Sequence, residues 1–560
     1  MEDSIGYIIG GGLKEGFRIR LTVAADEVQE GSFVVVDSGR FRYYGLITDL
    51  QLGATDPRFA DEKTDRLQPA IQQALLGKTL FTTLMMYPTL MMDMGPELGT
   101  EAHHEWAESV EQGKENPGPR PVKTVPAHHA EVRAANEADV AEIFGKDGFV
   151  IGHTIEQGYP VRLDLNKFVQ RSSGIFGATG TGKSFLTRMV LAGLMDADAA
   201  AALVFDMHNE YGFDDSDSDR NIKVLGLRSL FGTKVQVAGL ESTVGGQNPD
   251  FTLQLALSDF EIADILMLSE QLALTDTASI TLNALTRSFK QDWFYQFMQL
   301  IPGAVETDPE TGKTVPAPDS VAAWARENNI NDKAAEALHR RLSVIYERPY
   351  IIKNPPNDPV SAIVDKLENG RHIILSFGKF DNDLDYLLVS NLLTRRIRQH
   401  WVKKTEAYKS EGAPKPRPLL IAIEEAHKIL NPQLASQTTF GIIARELRKY
   451  FVTLLVVDQR PSGIDDEIMS QLGTRITGWL GDDDDIRAVL TGLAGRDQLR
   501  GMLARLQEKE EVLLLGWGVK MPIPVRSRRY DQAFYDEMKG ASRSSGSTES
   551  LDEFNKSIFG

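Results

Sequence analysis

The fold class predicted by this chain of 560 residues is α/β, a P-loop core with a helical insertion preceded by a small β-barrel, and three observations predict it. Residues 177–184 read Gly-Ala-Thr-Gly-Thr-Gly-Lys-Ser, a complete Gly-x-x-x-x-Gly-Lys-Ser phosphate loop set between an apolar run and an apolar-periodic segment. From Val150 onward, apolar runs at 203–206, 372–377, 419–424, 453–458, 475–480 and 512–515 alternate with helical patterns, as buried parallel strands with crossover connections do. Upstream, the segments 31–39 and 43–49 alternate apolar and polar residues between glycine turns, which predicts the short strands of a barrel.

Length and composition bound the rest. With 42% hydrophobic residues the chain can bury two or three cores, and the absence of cysteine excludes disulfides and Cys-ligated metal centres. A reducing cytoplasm suits that composition. Met1-Glu2-Asp3-Ser4-Ile5 carries no basic or apolar leader segment, and no run of about 18 apolar residues occurs, so no membrane anchoring is expected. Lys and Arg total 61 against 79 Asp and Glu, a net charge of −18 that argues against coating nucleic acid with the outer surface. A basic central channel inside an acidic ring remains compatible with that balance.

Taken in order, residues 1–137 are expected to form the barrel, with an exposed Glu-, Gly- and Pro-rich linker near 95–125. The core is expected over 138–534. Between about 256 and 350 the pattern turns helical and strand signals vanish, which predicts a helical insertion. Residues 535–560 are expected as a flexible tail, with 551–559 able to dock as a short arm.

The phosphate loop requires its residue types for physical reasons. Backbone N–H groups of Gly177, Ala178, Thr179, Gly180, Thr181 and Gly182 wrap phosphates, and the helix that follows, from Ser184 and Phe185, turns its positive end to the same charge. Lys183 reaches the β- and γ-phosphates of ATP, and the Ser184 hydroxyl ligates Mg²⁺. An apolar strand ending in Glu424 and Glu425 supplies what metal-assisted hydrolysis needs: Glu424 for the metal, Glu425 for the attacking water. Strand alternation sends the two to different sides. Asp206 and Glu210 close the second strand and are further candidates for Mg²⁺ or the water, the alternative being a plain turn at His208 and Asn209. Arg445 and Arg448 lie on a helix after the acidic strand and are candidates for stabilising γ-phosphate charge from a neighbouring subunit, or else for a solvated face. Gln459 is placed as a polar sensor. Basic clusters at Arg340-Arg341, Arg395-Arg396-x-Arg398 and Lys403-Lys404 are most simply solvated faces.

With these motifs in this order, the chain resembles the HerA family of the HerA/FtsK superfamily. The resemblance rests on the barrel-like segment, the phosphate loop, Asp206-x-His-x-Glu-Tyr211, Glu424-Glu425-Ala-His427, Ala444-Arg445-Glu-x-Arg448-Lys-Tyr450 and Asp458-Gln-Arg-Pro-Ser462. It implies a RecA-like core assembled as a hexamer around double-stranded DNA, with Lys183 and Ser184 as Walker A residues and Glu424 and Glu425 as the Walker B pair. It further implies Gln459 as sensor, Arg445 or Arg448 as trans finger, and Arg171 at the subunit boundary. Two departures stand out: the family more often has glycine where this chain has Asn209, and Ser where it has Thr181. Relatives work with a NurA-like nuclease in DNA end resection or with effectors in anti-phage defence, docked on the barrel. The implied function is an ATP-driven duplex-DNA translocase or helicase; a ring that scaffolds and gates an effector is the alternative.

Overall fold

The computed structural model describes residues 4–54, 80–115, 117–217, 222–309, 312–356 and 358–540. Two compact units emerge, the first from 1–168, 174–183 and 473–529, the second from 169–173, 184–472 and 530–560. They do not follow the expected boundary at residue 137, because strands from both flanks of the core join the barrel's unit.

In the first unit, six antiparallel strands form the barrel in the spatial order Gly16–Leu21, Ser4–Gly12, Glu131–Ala134, Phe33–Ser38, Phe41–Ala54 and Leu80–Asp93. Pairing of the last with the first closes the ring and leaves no open edge. The first turn demands glycine: Gly16 has φ +89°, and a Cβ there would lie 2.6 Å from the Met86 carbonyl oxygen. Val34 and Val36 join the interior cluster with Ile19, Tyr43 and Ile47, while Phe33 packs edge-on against Phe144 of helix Glu137–Phe144. That strand is thus buried on both faces, which is why it reads as an unbroken apolar run.

Helix Glu101–Glu111 occupies the segment expected as an exposed linker. Thr100 caps it by accepting from the His103 amide at 3.2 Å, and a Cβ on Gly95 would lie 2.4 Å from the Trp106 ring. The flanking Gly and Pro residues hide a stretch whose own residues are ordinary helix formers.

Five further strands of this unit run Thr474–Thr477, Glu511–Gly516, Ile523–Ser527, Phe149–Thr154 and Pro160–Leu163, all antiparallel. The run at 512–515 is therefore antiparallel to both of its neighbours, not the parallel strand that the sequence predicts. Two helices, Asp483–Leu490 and Arg496–Arg505, stand between Thr474–Thr477 and that run and return the chain reversed, whereas a lone crossover helix would keep direction. Unbroken apolarity signals burial on two faces, not direction. Contacts of Glu156 with Ser32 and Gln29, and of Arg505 with Glu30, tie the barrel to these elements.

The second unit is built on six parallel strands in the spatial order Phe251–Thr252, Val235–Gly239, His372–Ser376, Ala201–Asp206, Leu419–Ile423 and Val452–Asp458. Asp206 pairs in register with Ser376, and Ile423 with both Phe205 and Val456, so the carboxyl ends of four neighbouring strands finish level. Helix Asp383–Glu411, 29 residues long, is capped by Asn382 and ends at Gly412 in the left-handed region.

Short parallel strands Leu255–Ala256 and Ile351–Ile352 bracket the segment expected as a helical insertion. Among the described residues five α-helices lie between them, and so does a hairpin of Val305–Thr307 with Thr314–Pro316 that the sequence does not predict. Residues 532–540 are helical, with Phe534, Tyr535 and Met538 buried, so the start of the expected flexible tail is packed structure; 541–560, including the proposed arm, lie outside the described residues. No helix among the described residues is long and apolar enough to cross a membrane.

Ile421 is fully buried in the strand flanked on both sides by parallel neighbours. Ile421→Ala is expected to cost about 2–5 kcal/mol, measured as a lower urea midpoint of the second unit; an unchanged midpoint would remove this strand from the load of the core.

Candidate nucleotide-binding site

Strand Ser173–Phe176 is buried throughout and leads into the phosphate loop, which helix Lys183–Asp196 continues. Gly180 and Gly182 have φ of +84° and +83°, with nothing within 4 Å of where a Cβ would stand. The two glycines thus permit a left-handed path beside open space, as a loop that wraps phosphates needs. Thr181 Oγ1 donates to the Ala178 carbonyl at 2.8 Å, and a Cβ on Gly177 would lie 2.6 Å from that hydroxyl. The Ala178 amide donates to Trp479 O at 3.0 Å, and the Gly478 amide to Phe176 O at 2.8 Å. The loop is therefore shaped by contacts within itself and with the segment at 478–479, and a 14-residue helix follows it in the chain with its positive end first. The chain passes from the first unit to the second between Lys183 and Ser184.

The second unit brings most of the remaining candidates to one sheet edge, where ligands of parallel α/β folds collect. Asp206 is 1% exposed and accepts the amides of Glu210, Tyr211 and Gly212 at 2.7, 2.9 and 3.2 Å. Burial pushes its carboxyl up to about 6 against those three donors. Its oxygens are committed to shaping the turn. Glu210 is half-buried, and its carbonyl accepts from Arg188 Nε of the P-loop helix. Asn209 has φ +59° and contacts Ser376 Oγ. A left-handed position accounts for the asparagine, the residue that substitutes most readily for glycine there.

Glu424 is 6% exposed and follows strand Leu419–Ile423, with Oε1 accepting from Tyr211 Oη at 2.5 Å and its carbonyl accepting from Tyr386 Oη at 2.8 Å. Burial pushes both phenols well up, so both remain protonated donors. Glu425 is left-handed at φ +44°, a conformation costing a non-glycine residue on the order of 1 kcal/mol or more. That backbone twist, rather than strand alternation, separates the two acids. Gln459 Nε2 donates to Glu425 Oε2 at 3.3 Å, and the His427 ring Nδ1 lies 3.7 Å from the same oxygen. Asp458, fully buried at the end of strand Val452–Asp458, accepts the His427 amide at 2.6 Å, its ring Nδ1 at 3.0 Å and the Arg460 amide at 2.7 Å.

The arginines are placed differently. Arg445 is engaged within its own chain by Glu467 at 2.7 Å, Asp465 at 3.5 Å and the Ala435 carbonyl at 3.2 Å. Arg448 has its backbone in the turn Leu447–Tyr450, and its side chain lies outside the described residues. Arg171 sits at the bend before the P-loop strand, its carbonyl accepting from Ser173 Oγ at 3.3 Å. Phe185 is 37% exposed beneath the Arg188 guanidinium. Arg395 and Arg396 are not a solvated face: they pair with Asp264, Glu261, Asp259 and Asp358, fastening the helical segment and its flank to helix Asp383–Glu411. Sequence reasoning missed Tyr386 altogether, since a tyrosine in an apolar helical run carries no signal; Tyr211 and Asp458 were visible only as motif letters.

Fold and phosphate loop define the class, an α/β P-loop protein of the ATPase type with an N-terminal closed barrel. Residues 149–397 match the family model described as "Helicase HerA, central domain". Among curated proteins it is 25% identical over 534 residues to the DNA double-strand break repair helicase HerA of Saccharolobus solfataricus, covering 93% of this chain and 91% of the relative. The protein of the same description from Sulfolobus acidocaldarius is 23% identical, with 94% of each chain covered. Among solved structures, VirB4 of Thermoanaerobacter pseudethanolicus aligns at 16% identity and a TM-score of 0.42 over 68% of this chain and 96% of its own.

The His427 ring is held above its ordinary value of 6.5, first by the Asp458 hydrogen bond and against the effect of burial. Stabilisation from this contact is therefore fully present below pH 6.5 and is lost as pH rises through the folded-state value. Asp458→Asn is expected to lower the His427 pKa seen by NMR titration; an unchanged titration would separate the two groups.

Proposed function

We propose that the chain is an ATP hydrolase that drives movement along double-stranded DNA as a ring of identical subunits, a hexamer by family resemblance. The observation that carries this reading is the acidic edge: a buried Glu424 next to a backbone-strained Glu425 that Gln459 and His427 approach. Such strain is kept where surrounding structure and function over-determine it. Lys183 holds the β- and γ-phosphates of ATP, Glu425 orients the attacking water, and Gln459 senses the γ-phosphate through Glu425. Ser184 and Glu424 are the residues that would hold Mg²⁺, and the open glycine cradle with a hydroxyl at its end fits a metal–triphosphate. A metal held there would offset phosphate negative charge.

An arginine completes the pocket from the neighbouring subunit. Of the three candidates, Arg445 must first exchange Glu467 and Asp465 for phosphate, so its delivery is coupled to assembly. Double-stranded DNA as the track is supported by the relatives described as break-repair helicases, which match over nine-tenths of the chain. A nuclease or a defence effector docked on the barrel is the partner this reading assigns. The cytoplasm is its compartment.

The in-chain pairing of Arg395 and Arg396, with the net charge of −18, favours a second reading, a nucleotide-gated scaffold for an effector. Duplex DNA discriminates. A motor is expected to raise its ATPase rate with linear duplex at about 50 mM salt and to lose that stimulation steeply by about 200 mM; a rate indifferent to duplex favours the scaffold. Lys183→Ala is expected to abolish ATP binding and turnover, whereas Glu425→Gln keeps binding and loses turnover by about 100-fold or more. Full activity in Glu425→Gln would end the hydrolytic assignment.

A further inference from the structure

Hydrolysis as described above uses Glu424 but does not explain what holds its side chain. A carboxylate on a free strand end samples several staggered rotamers, and only one of them faces a given metal position. Two fully buried phenols limit that freedom at two points of the residue: Tyr211 bonds the carboxylate Oε1, and Tyr386 bonds the main-chain carbonyl at 2.8 Å. Each phenol is itself held. Tyr211 sits in the turn whose amides Asp206 gathers, and the turn is fastened again where Arg188 of the P-loop helix binds the Glu210 carbonyl. Tyr386 lies in the first turn of helix Asp383–Glu411, next to Asp385, which is fully buried and bonded by Arg348 at 2.9 Å and by Tyr350.

We propose that Tyr211 and Tyr386 are positioning residues that clamp Glu424, side chain and main chain respectively, in the orientation that receives the metal. The proposal rests on the reading of Glu424 as the acid that holds Mg²⁺. It gives the turn at 206–212 a role through its tyrosine, since the carboxylate of Asp206 is committed to backbone amides. A phenol remains a donor throughout the physiological range, so the clamp does not open with pH. It opens only if the turn or the helix moves.

The test uses the full chain, with the Mg²⁺ dependence of binding of a methylanthraniloyl ATP analogue and steady-state ATPase kinetics as two separate readouts. Tyr211→Phe removes one bond to a charged group and is expected to raise the Mg²⁺ concentration for half-maximal analogue binding about 10-fold. It should lower kcat by a similar factor with KM for ATP within about 2-fold. Tyr386→Phe removes a bond to a neutral carbonyl and is expected to shift the same midpoint about 3-fold. A Tyr211→Phe protein with the wild-type Mg²⁺ midpoint and kcat overturns the clamp and leaves the ATPase reading intact, as does a variant that melts earlier without a midpoint shift. If Tyr211→Phe fails to fold, Tyr386→Phe decides by the same midpoint. A wild-type chain that binds no analogue with Mg²⁺ overturns the ATPase reading itself, and the clamp with it.

Discussion

Acids withdrawn from water at the carboxyl edge of a parallel sheet are the constraint around which the second unit is arranged. Asp206, Glu424 and Asp458 follow or end neighbouring strands that finish level, and each is nearly or fully buried. A buried carboxylate without donors costs several kcal/mol or takes up a proton. Each of the three meets donors of a different kind: backbone amides for Asp206, a phenol for Glu424, and amides with an imidazole for Asp458. These partners come from the turn after the second strand, from His427 just past the acidic pair, and from residues next to each acid. The edge therefore holds its shape only when those segments are folded together.

Against this preorganised edge, Glu425 is the exception. Its left-handed backbone turns it out of the strand direction and toward Gln459 and His427, while Glu424 stays buried under the two tyrosines. Two adjacent residues of one type thus occupy separate surroundings. The phosphate loop obeys a different economy. Its shape comes from glycines at positive φ, from Thr181 folding back on Ala178 and from two backbone bonds to Gly478 and Trp479.

Charge is distributed with similar locality. The arginines of the long helix that read as a basic cluster are used to bind the helical segment and its flank, and Arg445 is matched by two acids beyond the next strand. A chain with 79 acids against 61 bases can satisfy its cations internally, leaving the excess acid to the surface. The barrel solves a separate problem, since closure of its last strand on its first removes the two edges that an open six-stranded sheet would expose.

Much of this was legible in the chain, and for definite reasons. Local patterns determined what local physics determines: the glycine loop from its spacing, the strands at 203–206 and 419–423 from apolarity, the barrel from short strand-like runs between turn signals, the acidic pair from its place at a strand end. Strand direction at 512–515 was not legible, because burial on two faces looks alike in parallel and antiparallel neighbours. Nor was the helix at 101–111, hidden among glycines and prolines that belong to its flanks, or the commitment of Asp206 to its own turn. The support of Glu424 by Tyr386, residues far apart in the chain, was decided by tertiary structure alone: a hydrogen bond between distant residues depends on how helix and strand are brought together, and no periodicity records that distance.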